Sequence, residues 1–168
     1  MNDDGKLHWY AARTRFGQEV GIKEKLDAME VENFIPTERR KNSRGRVVTR
    51  ALISNLVFLR ADKASALDLV NFKGLPLNYI VDCATHTLLV VPDKNMDDFI
   101  RVFDMSVTEG GVLESGIAPG QKVMVTKGAL KGVEGTVLED KSRTYVVVGL
   151  AGFVYAKASV PKAWLEIV

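Results

Sequence analysis

Gly120-Gln121-Lys122-Val123-Met124-Val125-Thr126-Lys127-Gly128-Ala129-Leu130-Lys131-Gly132-Val133-Glu134-Gly135-Thr136-Val137 decides how the last third of the chain folds. Val123 and Val125 alternate with Lys122, Met124 and Thr126, the period-two pattern of a half-buried strand. The run then meets a glycine-punctuated turn and leaves as a second strand, Thr136-Val137-Leu138. Gly128, Gly132 and Gly135 suit positions of positive φ or close backbone approach, and the turn is expected to expose bare backbone and Leu130. Downstream, Tyr145–Val148, Phe153–Ala156 and Trp164–Ile167 are short strand-like runs separated by turns. The expectation is a small five-stranded SH3-like β-barrel.

Upstream the patterning is mixed. Leu7 to Thr14 reads as a strand anchored by Trp9 and Tyr10. After Gly17 a helical period sets in, with Val20, Ile22, Leu26 and Met29 on the apolar face. Phe34-Ile35-Pro36 is a short strand that the proline confines to an edge or an end. Ser43-Arg44-Gly45 turns a basic hairpin, and Leu52 to Leu59 is an apolar strand with a bulge or bend at Ser54-Asn55. Ser65 is expected to cap a second helix carrying Leu67, Val70 and Phe72 inward, ended by Gly74 and Pro76. Tyr79–Val81 and Leu88–Val91 pair around Thr85-His86-Thr87. Pro92-Asp93 opens a last helix with Met96, Phe99, Ile100 and Phe103 inward and Asp97 and Asp98 favouring its N-terminus. The resulting fold class is α+β, an N-terminal antiparallel sheet flanked by helices plus the C-terminal barrel. Domain boundaries are set at 1–105 and 120–168, with the Gly- and Pro-bearing stretch 106–119 as linker.

Composition bounds the function. The chain is 46% hydrophobic and 26% charged, and no apolar run approaches the roughly 18 residues a membrane span requires. Met1-Asn2-Asp3-Asp4-Gly5-Lys6 carries no apolar signal core, so a cytoplasmic location is expected. With one cysteine and two histidines, no internal disulfide and no metal site are expected. Cys83 follows an apolar strand and reads as a small core residue; with His86 it lacks a third orienting group, so a Cys–His hydrolase is disfavoured. No Rossmann or phosphate-loop spacing occurs, and the paired carboxylates are accounted for by capping. The expectation is no enzyme and no cofactor. The net charge of +2 is small but uneven: Arg39, Arg40, Lys41, Arg44, Arg46 and Arg50 fall in one stretch without an acid. That stretch is either a nucleic-acid contact or a solvated hairpin tip.

Trp9-Tyr10 opening a strand, Gly17-Gln18-Glu19 opening a helix, Ile35-Pro36, the basic hairpin, Asn55-Leu56-Val57-Phe58 and the 120–137 turn occur in an order that resembles the NusG family of transcription elongation factors. The 120–137 pattern itself resembles the KOW motif, an ordinary SH3-like turn being the alternative. Asn55 before an apolar strand resembles specialised bacterial paralogues of the RfaH and UpxY type. The resemblance implies a transcription antitermination and elongation factor that binds the RNA polymerase clamp, acts as a monomer away from membranes, and suppresses pausing or termination at a specific operon such as a capsular polysaccharide locus. It implies a polymerase-binding surface of Tyr10, Leu52, Ile53, Asn55, Leu56 and Phe58. Here Ile53-Ser54 replaces the family's usual aromatic-proline step before this strand, and Leu56 replaces the aromatic after it. It implies contacts to non-template DNA or nascent leader RNA through Arg15, Gln18, Lys23, Lys25 and Lys73, to which the hairpin adds Arg44 and Arg46. The turn Lys127, Gly128, Leu130, Lys131 and Gly132 would bind a partner such as ribosomal protein S10 or Rho. Leu130 stands there in place of an exposed phenylalanine. The β-branched run Tyr145-Val146-Val147-Val148 favours strands over a helical refolding. The competing reading is a ribosome-associated or RNA-binding KOW protein.

Overall fold

The computed structural model describes residues 5–109, 112–113 and 120–168. The fold is mixed α/β with three α-helices among the described residues. In chain order the elements are β1 (His8–Arg13), α1 (Glu19–Ala28), β2 (Glu32–Phe34), β3 (Thr37–Lys41), β4 (Val47–Ala51), β5 (Leu56–Ala61), α2 (Lys63–Asn71), β6 (Asn78–Tyr79), β7 (Val81–Asp82), β8 (Thr87–Leu88), β9 (Val90–Val91), α3 (Asp93–Glu109), β10 (Val112–Leu113), β11 (Lys122–Val125), β12 (Glu134–Asp140), β13 (Arg143–Leu150), β14 (Val154–Ser159) and β15 (Leu165–Ile167). The chain divides into two compact units, Met1–Val91 and Pro92–Val168, so α3 falls in the second. The expected linker, 106–119, lies largely outside the described residues.

The first unit is built on the antiparallel order β2-β5-β1-β6, with β9 also pairing β1. Period-two alternation sends Tyr10 and Ala12 of β1 and Val57, Leu59 and Ala61 of β5 into one core, where they meet Ile22 and Leu26 of α1 and Ala66 and Leu69 of α2. The opposite alternation is buried too, Trp9, Ala11 and Phe58 all being inaccessible. That is why β5 reads as a continuous apolar run. β3 and β4 form a separate hairpin in which Glu38 faces Arg50 across the ladder, and their side chains pair at 2.5 Å. The sequence stretch without an acid is therefore met by Glu38, the residue just before it on β3. Ser54-Asn55 makes a turn with Asn55 at φ 60°.

Three local expectations are corrected. Asp62, not Ser65, caps α2: its carboxylate accepts the Ser65 N–H at 2.7 Å and the Ser65 hydroxyl at 2.9 Å, which hold that carboxyl below its usual range. The helix starts earlier than the Ser65 cap implied, so Leu67 and Phe72 are exposed rather than inward. Cys83 is also exposed, in the turn after β7 rather than in the core.

In the second unit the order is β10-β14-β13-β12-β11-β15, a six-stranded sheet rather than the expected five-stranded barrel. Among the described residues no pairing closes the path into a barrel. The alternation holds at Val123 and Val125 in β11 and along β14, whereas Val146, Val147 and Val148 are buried consecutively in β13. Gly135 permits the close approach of β13, because a side chain there would strike the Val147 carbonyl. Met96, Phe99, Val102 and Phe103 bury the apolar face of α3, Phe99 and Phe103 stacking at 6.0 Å. No described helix is long and apolar enough to cross a membrane.

Candidate functional site

In the first unit, the segment leaving β1 and the segment leading into β6 lie side by side. The Thr14 N–H donates to the Asn55 carbonyl at 3.1 Å, and the Thr14 hydroxyl donates to the Pro76 carbonyl at 3.0 Å. Leu75 and Leu77 are buried and anchor the second segment, the Leu75 N–H reaching the Leu69 carbonyl of α2. Between the segments runs a groove of about 410 Å³, with Arg13, Thr14, Arg15 and Gln18 on one side and Leu75 to Asn78 on the other. Glu19, only 3% exposed, fixes the first wall. One carboxylate oxygen accepts the Gly17 N–H and the other the Asn55 N–H, each at 3.2 Å. A buried carboxylate is tolerated there because backbone donors meet both oxygens at the first turn of a helix.

The expected nucleic-acid residues fall in different places. Arg15 and Gln18 line the groove. Lys73 sits just before its second wall, with a loose 4.0 Å approach to Asp68. Lys23 is engaged on its own helix by Asp27 at 3.3 Å and by the Asn33 side-chain carbonyl at 3.2 Å. Lys25 is exposed on α1, and it does not line the groove. Arg44 and Arg46 are exposed in the β3–β4 turn, where the Asn42 side chain accepts both their backbone N–H groups. Arg13, Phe16 and Phe72 were missed in the sequence. The signal was present as basic and aromatic residues interleaved in Arg13-Thr14-Arg15-Phe16-Gly17 and repeated in Phe72-Lys73-Gly74.

The expected polymerase surface is not an exposed patch. Tyr10, Ile53, Leu56 and Phe58 are between 1% and 5% exposed, Leu52 is half-buried, and Asn55 is exposed. For Leu56 and Phe58 the reason is that β5 is covered on both faces: Val57, Leu59 and Ala61 enter the core with α1 and α2, and on the other face Leu56 and Phe58 are buried, Phe58 against Phe34.

In the second unit the 127–132 turn is likewise held rather than presented. Leu130 is 3% exposed, which corrects its expected exposure. Lys127, Lys131 and Gly128 stay accessible, while Gly132 is half-buried. The Arg101 guanidinium of α3 donates to the Ala129 carbonyl at 2.9 Å and the Lys131 carbonyl at 2.8 Å. Lys94 donates to the Gly132 carbonyl at 3.0 Å and to Asp98 at 2.6 Å. Asp98, buried rather than merely capping α3, also accepts the Glu134 N–H at 3.2 Å. Asn95 completes the set by donating to the Gly149 carbonyl at 3.1 Å.

Among the described residues no group of His, Cys, Asp and Glu is arranged to hold a metal ion. The family described as transcription termination factor nusG, NusG, matches residues 7–100, more than half of the chain. The chain belongs to the NusG family. NusG-family members are transcription factors, not enzymes, and the matched residues take in the groove and β1 to β9. Among solved structures, a Thermotoga maritima NusG structure concerned with domain interaction is 20% identical, with 97% of this chain and 98% of that chain covered and a TM-score of 0.52. This likeness shows a NusG-like fold. An MjSpt4:Spt5 complex in conformation A is 17% identical over 95% of this chain and 97% of that chain, with a TM-score of 0.30. A comparison with curated proteins finds no match.

Proposed function

We propose that this NusG-family protein is a specialised antitermination and elongation factor of the RfaH or UpxY type. It binds the clamp of RNA polymerase through its first unit and suppresses pausing or termination at a particular operon, such as a capsular polysaccharide locus. The observation that carries this reading is the NusG match across residues 7–100. The polymerase contact uses the β4–β5 turn, where Asn55 is exposed and Leu52 half-buried, supported from beneath by the buried Ile53, Leu56, Phe58 and Tyr10. The cationic groove with Arg15 and Gln18 meets non-template DNA or leader RNA, aided by Lys73 and Lys25. The second unit is a KOW-type module whose 127–132 turn docks a partner such as ribosomal protein S10 or Rho. The protein acts in the cytoplasm as a monomer, without cofactor or catalysis.

A ribosome-associated or RNA-binding role is the second reading. It is favoured by the β3–β4 hairpin, whose tip exposes Lys41, Arg44 and Arg46 beside Arg39 and Arg40. Affinity purification of the full chain separates the two. RNA polymerase in the eluate, together with shortened pauses on a reconstituted template, supports the first. Ribosomal subunits without polymerase overturn it.

A further inference from the structure

β3 and β4 pair only with each other, so each keeps a free edge, and every residue from Arg39 to Arg50 is exposed. The register decides what that edge offers. The Leu52 N–H donates to the Pro36 carbonyl and the Asn42 N–H to the Arg46 carbonyl, each at 2.8 Å. Both pairs continue the ladder in which Glu38 faces Arg50 and Arg40 faces Val48. Bonded and non-bonded positions alternate along an antiparallel pair, so Thr37, Arg39 and Lys41 turn their N–H and C=O groups away from β4. Among the described residues no strand meets those outward groups. α1 lies against β4, which leaves β3 as the open edge.

Charged side chains commonly guard such an edge. Here they are numerous and of one sign. Arg39, Arg40 and Lys41 run consecutively along β3, with Arg44 and Arg46 at the tip. Glu38 is the one acid of the hairpin, and Arg40 and Arg50 engage it. Arg39 and Lys41 share one face and Arg40 stands on the other, so a strand laid along β3 meets cations on both of its faces. Its complement is acidic. A second copy of the same hairpin is excluded by like charge. A phosphate backbone would answer the cations, but it accepts hydrogen bonds without donating any, and it has no use for Val47 and Val48, 54% and 40% exposed on the same ribbon. A peptide main chain supplies both donors and acceptors to an edge.

We propose that β3 takes an acidic, extended segment of a partner protein as the third strand of this ribbon, with main-chain bonds to Arg39 and Lys41 and carboxylates meeting Arg39, Arg40 and Lys41. The site shares no residue with the groove of the first unit.

The test is anisotropy of a fluorescent peptide of about eight alternating Glu and Thr residues titrated with the full chain. The same peptide N-methylated at its interior amides, a Lys–Thr peptide and a single-stranded oligonucleotide of equal charge are compared. The Glu–Thr peptide is expected to bind, more weakly as salt rises, and the Lys–Thr peptide is not. The N-methylated peptide, its charge unchanged, should bind roughly tenfold more weakly. Arg39→Gln and Lys41→Gln should each weaken binding about threefold. Arg39→Pro also removes the outward N–H without removing a bond to β4, and should weaken it about fivefold further. The N-methylated peptide probes the same bonds on the unaltered protein, so a hairpin disturbed by proline does not blunt the test. Equal binding of the N-methylated peptide reduces the contact to charge and overturns the proposal. No binding of the Glu–Thr peptide makes the cations a guard on the edge and overturns it as well. Displacement of the peptide by an equal concentration of the oligonucleotide makes the hairpin a nucleic-acid contact, with the same consequence. Unchanged peptide binding by both glutamine variants places the peptide elsewhere on the chain and likewise overturns it.

Discussion

Asp98 offers a sharp test of how the second unit is held together. Its side chain is 5% exposed and makes two charge-assisted contacts, to Lys94 Nζ at 2.6 Å and to the Glu134 N–H at 3.2 Å. Asp98→Ala removes both. Lys94 is 59% exposed and keeps the Gly132 carbonyl, so its ammonium is rehydrated at little cost. The Glu134 N–H, at the start of β12, loses the carboxylate that accepts it. A hydrogen bond to a charged group contributes roughly 1.5–3 kcal/mol, so Asp98→Ala should destabilise the second unit by about 2–3 kcal/mol. Asp98→Asn keeps an acceptor of the same shape and should cost about 1 kcal/mol. The chain has two tryptophans, Trp9 in the first unit and Trp164 in the second, so urea unfolding followed by fluorescence in a Trp9→Phe background reports on the second alone. A double-mutant cycle with Lys94→Ala should give a coupling of about 1 kcal/mol, above the 0.3–0.5 kcal/mol typical of exposed pairs four residues apart. If Asp98→Ala and Asp98→Asn both fall within about 0.5 kcal/mol of the parent with unchanged denaturant slope, the carboxylate is not an anchor and the reasoning fails.

The first unit yields three further expectations. Glu19→Ala should cost about 2 kcal/mol in urea unfolding, because the Gly17 and Asn55 N–H groups lose their acceptor; Glu19→Gln should cost about half, since it turns an amide N–H₂ toward one of them. Leu26→Ala, at a site with no exposure, should cost roughly 2–5 kcal/mol, whereas Phe16→Ala should stay within about 0.5 kcal/mol; equal effects would contradict the assigned burial. Tyr79 donates its hydroxyl to the Ala66 carbonyl at 2.6 Å, and burial pushes its phenol well above the usual value of about 10. Its neutral form is favoured in the folded state, so its contribution is complete below pH 10 and falls as pH rises above it. Tyr79→Phe should flatten that alkaline loss, measured by Tm against pH.

Element types were legible wherever a short-range pattern decides them. The alternation of Val123 and Val125, the basic hairpin around Arg44 and the apolar period of α3 all correspond to elements of the structure. What could not be read was tertiary. Asp62 and Ser65 are both good caps, and only the backbone at Asp62, extended at φ −72° and ψ 162°, decides between them. Phe72 fits a helical apolar period, yet it stands at the C-cap, where no neighbouring element covers it. Leu56 and Phe58 read as an exposable strand because a strand buried on both faces and one awaiting a partner share the same run of apolar residues. At the candidate groove the sequence supplied Arg15, Gln18 and Lys73. It could not supply the second wall, since Thr14 and Pro76 are joined by a hydrogen bond across 62 positions.

The two buried carboxylates among the described residues share one construction. Glu19 opens α1 and accepts the N–H of Asn55, 36 residues onward; Asp98 lies in the early turns of α3 and accepts the N–H of Glu134, also 36 residues onward. In each case a helix carries a carboxylate that fixes the backbone of a distant segment, and at Glu19, in the first turn of α1, the helix dipole favours the charge as well. Those turns adjoin the residues proposed for binding: the Asn55 turn beside the groove, and the 127–132 turn ahead of β12. A hydroxyl or amide in the same position offers fewer acceptor sites and no charge, so the positioning would loosen. The binding proposed for these turns therefore depends on acids outside the proposed contacts. Loss of Glu19 should relax the Asn55 turn and groove together, because Thr14 bonds the Asn55 carbonyl on one side and Pro76 on the other. Amide exchange at Asn55 and Thr14 should accelerate in step in Glu19→Ala; acceleration at Asn55 alone would show that the groove is held without the carboxylate.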